Sequence, residues 1–216
     1  MLISIVPTIT TDDPVKYKQA VDKFHPFSNR AQADISDSKF APNPTIPASA
    51  VWWPKGWTMD IHAMVEKPSE TIPDMLKLRP NLVIYHAEVE EDLLPIFEQL
   101  KAADIKVGVA IQKQTFPGNI KPLIQAADHA MIFSGILGKQ GGTANLLQLE
   151  KVHILRSIKK DLEISWDGGA NLNNIRTIAQ AGVNVVYVGQ AISSVTDPQA
   201  AHAALLAEAE KTGVVL

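Results

Sequence analysis

The sequence contains no cysteine, which excludes disulfide frameworks and every metal site built on thiolates. It also lacks any apolar run near the roughly 20 residues that a membrane span requires. Acidic and basic residues are interspersed, and the formal net charge is -3, so no charge block favours nucleic acid or a membrane surface. The amino terminus has no basic leader. We therefore expect a soluble, cytoplasmic protein that binds neither nucleic acid nor membranes.

What the chain does contain is ample apolar material and a regular alternation of patterns. Its 216 residues are 46% hydrophobic, enough for one domain over residues 1–216 with a single large core. Short β-type runs alternate with stretches whose apolar residues recur at helical spacing. Most of these runs are continuously apolar, which is typical of parallel strands buried on both faces. The predicted strands cover residues 2–7, 30–35, 57–64, 81–87, 105–111, 129–134, 162–167 and 183–189.

Eight strands alternating with helices predict an α/β fold, the (β/α)₈ TIM barrel. The alternative is a doubly wound open sheet, which would need a glycine-rich fingerprint after the first strand, and "VPTITTDDP" has none. Residues 40–57 carry four prolines and three tryptophans where a second helix would be expected. We predict a loop there with at most a short helix. Its tryptophans fit a lid, a subunit contact or simple packing equally well: Trp52, Trp53 and Trp57.

Polar residues stand at the ends of several predicted strands. Asp34, His62 and Asp167 end the second, third and seventh strands, and His86 ends the fourth. In a TIM barrel these strand ends form the active site, so two carboxylates and an imidazole are expected at one mouth. Gln32 lies on the same strand face as Asp34. Oxygen and nitrogen ligands of this kind suit zinc, manganese or iron. The other histidines are expected in loops or helices, with surface or packing roles: His25, His129, His153 and His202.

Glycines are concentrated in the loops after the last three predicted strands, at residues 134–142, 167–169 and 189–191. Glycine allows backbone amides to approach an anion closely, and helix N-termini favour negative charge. Loops after the seventh and eighth strands are the usual phosphate site of TIM barrels. A bound phosphate group is therefore predicted, with Lys139 as a further positive charge.

The motifs resemble those of the D-ribulose-5-phosphate 3-epimerases, phosphate-binding (β/α)₈ enzymes. "QADISDSKFAPN" is similar to the family's "HxDxMDGxFxPN", and "MDIHAMVEKP" is similar to its "LDVHLMxxxP". "YHAE", "KVGVAIQKQT", "GILGKQ" and "WDGGANLNNIRTIAQAGVNVVYVGQAI" follow in the family's order. On these segments the chain is identified as a divergent member of the family.

The resemblance implies a metal-dependent epimerase that interconverts D-ribulose 5-phosphate and D-xylulose 5-phosphate. Asp34 and Asp167 would exchange the C3 proton from opposite faces of the sugar. Both would also bind one divalent ion, zinc, manganese or iron, together with His62. The family's fourth ligand is a histidine, and Gln32 stands at that position. Because an amide oxygen is a weaker ligand than imidazole, we expect weaker binding of zinc or a preference for a harder metal.

The resemblance also implies which residues contact the substrate and its phosphate. Several departures surround them: Ser36 and Ser38 replace a methionine and a glycine, and Gln190 replaces a serine. Because the family commonly forms dimers or larger rings, a homo-oligomer is expected. The implied contacts to the ketose phosphate are Thr8, Met64, Met131, Gly138, Lys139, Gln140, Gly168, Gly169, Gly189 and Gln190.

Two other functions remain open on the sequence. The enzyme could epimerise a longer ketose phosphate such as allulose 6-phosphate, with the 40–57 loop admitting an extra carbon. Alternatively, the chain could be a non-catalytic sugar-phosphate-binding homologue that has lost the metal, an interpretation that Gln32 supports. A decarboxylase of the orotidylate type would need a "DxKxxD" array, and the order Asp34, Asp37, Lys39 does not fit it.

Overall fold

A computed structural model describes residues 3–212 and contains a closed barrel of eight parallel strands in chain order. Each strand pairs with its sequence neighbours, and the barrel closes where the first strand pairs with the last. The predicted TIM barrel is confirmed; residue 2, where the first predicted strand begins, lies outside the described residues. The strands are β1 Ser4–Ile9, β2 Arg30–Ser36, β3 Thr58–Met64, β4 Leu82–His86, β5 Lys106–Ile111, β6 His129–Phe133, β7 Glu163–Asp167 and β8 Val185–Val188.

Helices follow the strands and cover the outside of the barrel. Three of them begin at an aspartate whose side chain accepts hydrogen bonds from first-turn amides: Asp13, Asp92 and Asp197. Within residues 3–212, no helix is long and apolar enough to cross a bilayer. The helices are α1 Pro14–Phe24, α2 Ile72–Leu78, α3 Leu93–Lys101, α4 Lys121–Ala126, α5 Glu150–Ile158, α6 Ile175–Gln180, α7 Gln190–Ser193 and α8 Pro198–Ala209.

The segment between β2 and β3 contains only a 3₁₀ turn, Ala48–Ala50, as its prolines predict. Two hydrogen bonds attach it to the region of α1. The Tyr17 hydroxyl donates to the Trp52 carbonyl over 2.8 Å, and the Trp57 indole N–H donates to His25 Nδ1 over 3.1 Å. Trp57 is buried, which agrees with a packing role. Trp52 keeps 41% of its surface exposed, and a subunit contact there stays a prediction.

The floor of the barrel, at the amino ends of the strands, is polar. Asp60 is fully buried and accepts hydrogen bonds from Arg30 Nε at 2.7 Å and from the Tyr187 hydroxyl at 2.9 Å. His129 contacts Glu163 at 2.8 Å through Nδ1. The expectation that His129 lies in a loop or helix is wrong, because it begins β6 and points into this buried network. Apolar strand residues form a separate buried cluster: Val6, Leu82, Ile84, Ala110, Met131, Phe133, Val185 and Tyr187.

Candidate active site

Parallel pairing brings the predicted strand-end residues together. Asp34 and His62 are direct register partners on β2 and β3, and Asp167 is the last residue of β7. Each offers one ligand atom, and these three atoms lie within 4.8 Å of one another. His62 Nδ1 is 3.2 Å from Asp34 Oδ1 and 3.8 Å from Asp167 Oδ2. The sequence expectation of two carboxylates and an imidazole at one mouth therefore matches the geometry.

Gln32 lies directly beneath this cluster and links its two acids. Its side-chain Nε2 donates to Asp34 Oδ1 over 3.0 Å and to Asp167 Oδ2 over 2.7 Å. The residue is completely buried. Its Oε1 accepts no hydrogen bond from any residue in the described part of the chain. A buried acceptor without a hydrogen-bond donor is unusual, because most buried polar atoms in folded proteins have a partner.

A second contact to the acids comes from a residue that the sequence reasoning missed. The hydroxyl of Thr10 donates to Asp34 Oδ2 over 2.5 Å, so Asp34 accepts on both carboxylate oxygens. Thr10 follows directly after β1. One sequence signal could have indicated Thr10: the family motif places the nearby Thr8 at the substrate.

Behind His62, a chain of hydrogen-bonding groups leads out of the site. His62 Nε2 lies 2.9 Å from His86 Nε2, and His86 Nδ1 lies 3.4 Å from Glu88 Oε2. Glu88 accepts hydrogen bonds from the backbone N–H of Gln112 at 2.9 Å and from the Thr115 hydroxyl at 2.5 Å. This chain orients the His62 ring, the role that outer carboxylates and histidines play around metal-binding histidines.

The ionisation of the cluster reflects burial and the closeness of like charges. Burial and the charge of Asp34 raise the pKa of Asp167 to about 6, against smaller opposing effects of His62 and Gln32. Burial lowers the pKa of His62, but its hydrogen bond to Asp34 and the two carboxylate charges outweigh burial and raise it. Burial, followed by the neighbouring His62, lowers the pKa of His86 to about 4. His86 is therefore neutral near pH 7.

The residues fit a divalent cation. Two carboxylates and an imidazole converge within ligand distance of one point, which is the donor set that zinc, manganese and iron accept. The buried Oε1 of Gln32, which has no hydrogen-bond donor among the described residues, could supply a fourth ligand atom and a third oxygen. It faces a cation only if the amide turns, because Nε2 now points at the carboxylates.

A cavity of about 250 Å³ opens from the acids toward the glycine-containing loops. Backbones approach closely along its wall: a Cβ on Gly168 would lie 2.1 Å from the Gly135 nitrogen, and one on Gly169 would lie 2.3 Å from the Ala144 nitrogen. Only glycine permits these approaches. The lining includes Thr8, Thr10, Asp34, His62, Met64, Phe133, Gly138, Lys139, Gln140, Gly141, Gly142, Asp167, Gly168, Gly169, Asn171, Gly189 and Gln190.

The cavity gathers nearly all of the substrate contacts that the sequence predicts. Met131 is the exception, because it is fully buried in the apolar cluster and does not line the cavity. Residues that the sequence reasoning missed include Phe133 and Asn171. The 40–57 loop contributes no described residue to the lining, although the Asn43 side chain donates to the Gly138 carbonyl behind it over 3.1 Å.

Comparison with known proteins agrees with the motifs. Residues 4–193 match the sequence model of the Ribulose-phosphate 3 epimerase family. The chain belongs to this family. One relative, the ribulose-phosphate 3-epimerase of Schizosaccharomyces pombe, is 26% identical over 202 residues, covering 90% of this chain and 89% of the relative. That of Bacillus subtilis is 27% identical over 172 residues, covering 76% and 79%. As a family member, the protein is an enzyme of the epimerase type.

Solved structures similar to this epimerase-family barrel include two other enzymes. A 3-hexulose-6-phosphate synthase from Salmonella typhimurium has a TM-score of 0.72 and 15% identity, covering 96% of this chain and 98% of that one. A phosphoribosyl anthranilate isomerase from Thermococcus kodakaraensis has a TM-score of 0.64 and 12% identity, covering 98% and 100%. At these identities the similarity supports the fold alone.

Proposed function

We propose that the protein interconverts D-ribulose 5-phosphate and D-xylulose 5-phosphate by moving a proton at C3. The observation that carries this proposal is the convergence of Asp34 and Asp167 with His62 beside a glycine-walled cavity. Inverting a carbon next to a ketone needs a base on one face and an acid on the other, and two carboxylates supply both. Family membership supports the same activity.

The surroundings of the two acids suit this exchange. Asp167, with its pKa raised to about 6, changes protonation close to neutral pH, as a group that both gives and accepts a proton must. Asp34 accepts a hydrogen bond from Thr10 on Oδ2, which fixes the carboxylate relative to the cavity. A reacting carbon between the two acids therefore meets them in fixed positions.

Asp34, His62 and Asp167 would hold a divalent ion, with the oxygen of Gln32 as a fourth donor. When bound, such an ion would supply positive charge that stabilises the negative charge developing on the substrate. The contacts from His62 to His86 and from His86 to Glu88 keep the His62 ring in place.

The glycine-walled part of the cavity is proposed to bind the phosphate group of the substrate. Gly168, Gly169 and Gly189 line this part of the cavity, and only Gly189 separates α7 from β8. Lys139 lines the same cavity and adds a positive charge. Together these groups would fix one end of the sugar and leave C3 near the acids.

The test is an assay of the purified protein with D-ribulose 5-phosphate, with and without added zinc, manganese or iron. We expect D-xylulose 5-phosphate to form with at least one of the metals. Allulose 6-phosphate, assayed in parallel, tests the six-carbon alternative, whose basis in the 40–57 loop the cavity lining does not support. No conversion of D-ribulose 5-phosphate under any metal would contradict the proposal.

Cytoplasmic location, a single domain and homo-oligomeric assembly stay predictions from the sequence. Assembly is measured directly by light scattering of the purified protein coupled to size-exclusion chromatography. A mass of about 23.5 kDa, that of one chain, would contradict the expected oligomer.

A further inference from the structure

Gln32 combines two features that are difficult to reconcile with a fixed structural role. Its amide nitrogen occupies the space between the two acids and donates to both of them. Its amide oxygen is buried without a hydrogen-bond donor among residues 3–212. The family resemblance predicts a metal-binding histidine at this position. The NH₂ group of Gln32 therefore stands where a metal ligand is expected.

The direction in which the amide points follows from simple electrostatics. Carboxylates are acceptors, and the side-chain NH₂ has two protons, one for each acid. Turned the other way, the amide would place a third oxygen against the oxygens of Asp34 and Asp167 and lose both hydrogen bonds. As it stands, Gln32 links two like-charged groups that would otherwise repel each other.

A cation reverses this preference. The nitrogen of an amide does not serve as a metal ligand, whereas its oxygen is a suitable ligand for hard and borderline cations. A cation between Asp34 and Asp167 repels the NH₂ protons and attracts Oε1. Turning the amide exchanges the two hydrogen bonds for one metal–oxygen contact and moves the unpartnered oxygen into coordination.

We propose that Gln32 is a two-position amide switch: its NH₂ group links Asp34 and Asp167 when no cation is bound, and its Oε1 turns to the cation on binding. This inference rests on the proposed function only in its use of the same metal site. It predicts weaker metal binding than an imidazole would give, because the hydrogen bonds must break first. It also predicts that the acids stay together when metal is removed.

The first experiment measures zinc and manganese affinity of the wild-type protein by competition with a chromogenic chelator. Gln32→His is expected to bind zinc at least tenfold more tightly, about 1.4 kcal/mol. Gln99→His, on the exposed face of α3, is the matched control and should leave affinity unchanged. In excess chelator, Gln32→Leu should melt below the wild type, since it leaves the two acids without a link.

The second experiment measures the wild-type chain and uses a variant only to assign its signals. The Gln32 side-chain NH₂ signals in a ¹⁵N-labelled sample are assigned by their loss in Gln32→Glu. We expect both signals to shift during zinc titration and to reach their end point at one equivalent. Signals unchanged at saturating zinc, or equal zinc affinity of wild type and Gln32→His, would overturn the switch.

These readouts separate the switch from the proposed reaction. Conversion of D-ribulose 5-phosphate with unchanged NH₂ signals would leave the epimerase proposal standing and remove the switch. Shifted signals and a tenfold gain in Gln32→His, without conversion of any ketose phosphate, would leave the switch standing and remove the reaction.

Discussion

Asp34 and Asp167 differ in their surroundings, although both stand at the end of a strand. Asp34 accepts from Thr10 and Gln32, whereas Asp167 accepts from Gln32 and has its pKa raised to about 6 by burial and by Asp34. Two acids in unequal surroundings are the usual arrangement when one must give a proton while the other takes it.

We expect Asp34→Asn and Asp167→Asn each to lower the conversion rate by roughly 10²–10⁴-fold, the usual contribution of a positioned acid or base. Because one acid remains in each variant, solvent deuterium should still enter C3 from one of the two epimeric substrates. Mass spectrometry of both substrates in D₂O measures this. Asp22→Asn, on the exposed surface of α1, is the control. A rate within tenfold of wild type in either variant would contradict the two-acid assignment.

At the scale of single elements, the end of β7 depends on close backbone contact with the loop after β6. The Ser134 amide donates to the Asp167 carbonyl over 2.7 Å, which brings Gly135 against Gly168. Gly168 has φ 112° and no room for a Cβ, since its nearest neighbour would be backbone at 2.1 Å. This contact sets the positions of Asp167 and of the glycine-containing cavity wall together.

Gly168→Ala is therefore expected to lower the melting temperature and to raise the KM for the ketose phosphate more than tenfold. Gly56→Ala is a matched control, because Gly56 lies outside the cavity lining and has a φ of 90° with nothing within 4 Å of its Cβ position. It should show only the backbone strain of a non-glycine residue, about 1 kcal/mol. Thermal melting and steady-state kinetics of both variants measure the difference. Equal effects would mean that the close approach at Gly168 does not matter.

Element boundaries show which parts of the fold local sequence could predict. β2, β3 and β6 begin and end within one residue of their predicted limits. β1 extends to Ile9, beyond the predicted end at residue 7, because Thr8 and Ile9 pair with β2. α7, with four residues, is too short to have a periodic pattern.

For the site, too, local sequence predicts some features and only the fold determines others. Strand-end positions identified Asp34, His62 and Asp167, since parallel strands end at one mouth. Thr10 was missed because it lies after the predicted strand. The link that Gln32 makes depends on the separation of β2 and β7, which only the closed barrel fixes. Sequence therefore predicted which groups meet, and the fold decided how they bond.

For the whole molecule, the polar floor connects strands that are distant in sequence. Arg30 binds Asp60 at 2.7 Å and approaches Glu163 at 3.5 Å, joining β2, β3 and β7. His129 adds β6 through Glu163. Tyr187 adds β8 through Asp60, and burial raises the pKa of its hydroxyl well above its usual value. Because these residues come from five of the eight strands, the network helps to hold the barrel closed.

Acid is expected to weaken this closure through Glu163. Burial alone would raise its pKa, but the hydrogen bond to His129 and the charges of His129 and Arg30 lower it to about 2. A carboxyl whose folded pKa is depressed stabilises the fold above its unfolded pKa, about 4.5, and loses this contribution as pH falls toward 2. The side chain is 42% exposed, so solvent screening reduces the effect.

Glu163→Gln should therefore lower the melting temperature at pH 7 by about 2–4 °C, the shift that roughly 1 kcal/mol produces in a chain of this length. The difference from wild type should shrink as pH falls from about 5 to 2, and also in high salt, because the charges are partly exposed. Glu98→Gln, on the exposed side of α3, should have the melting temperature of the wild type at every pH. Melting curves across this pH range measure the effect. A Glu163→Gln deficit that persists undiminished at pH 2 would mean that shape or neutral hydrogen bonding, rather than the carboxylate charge, closes the floor.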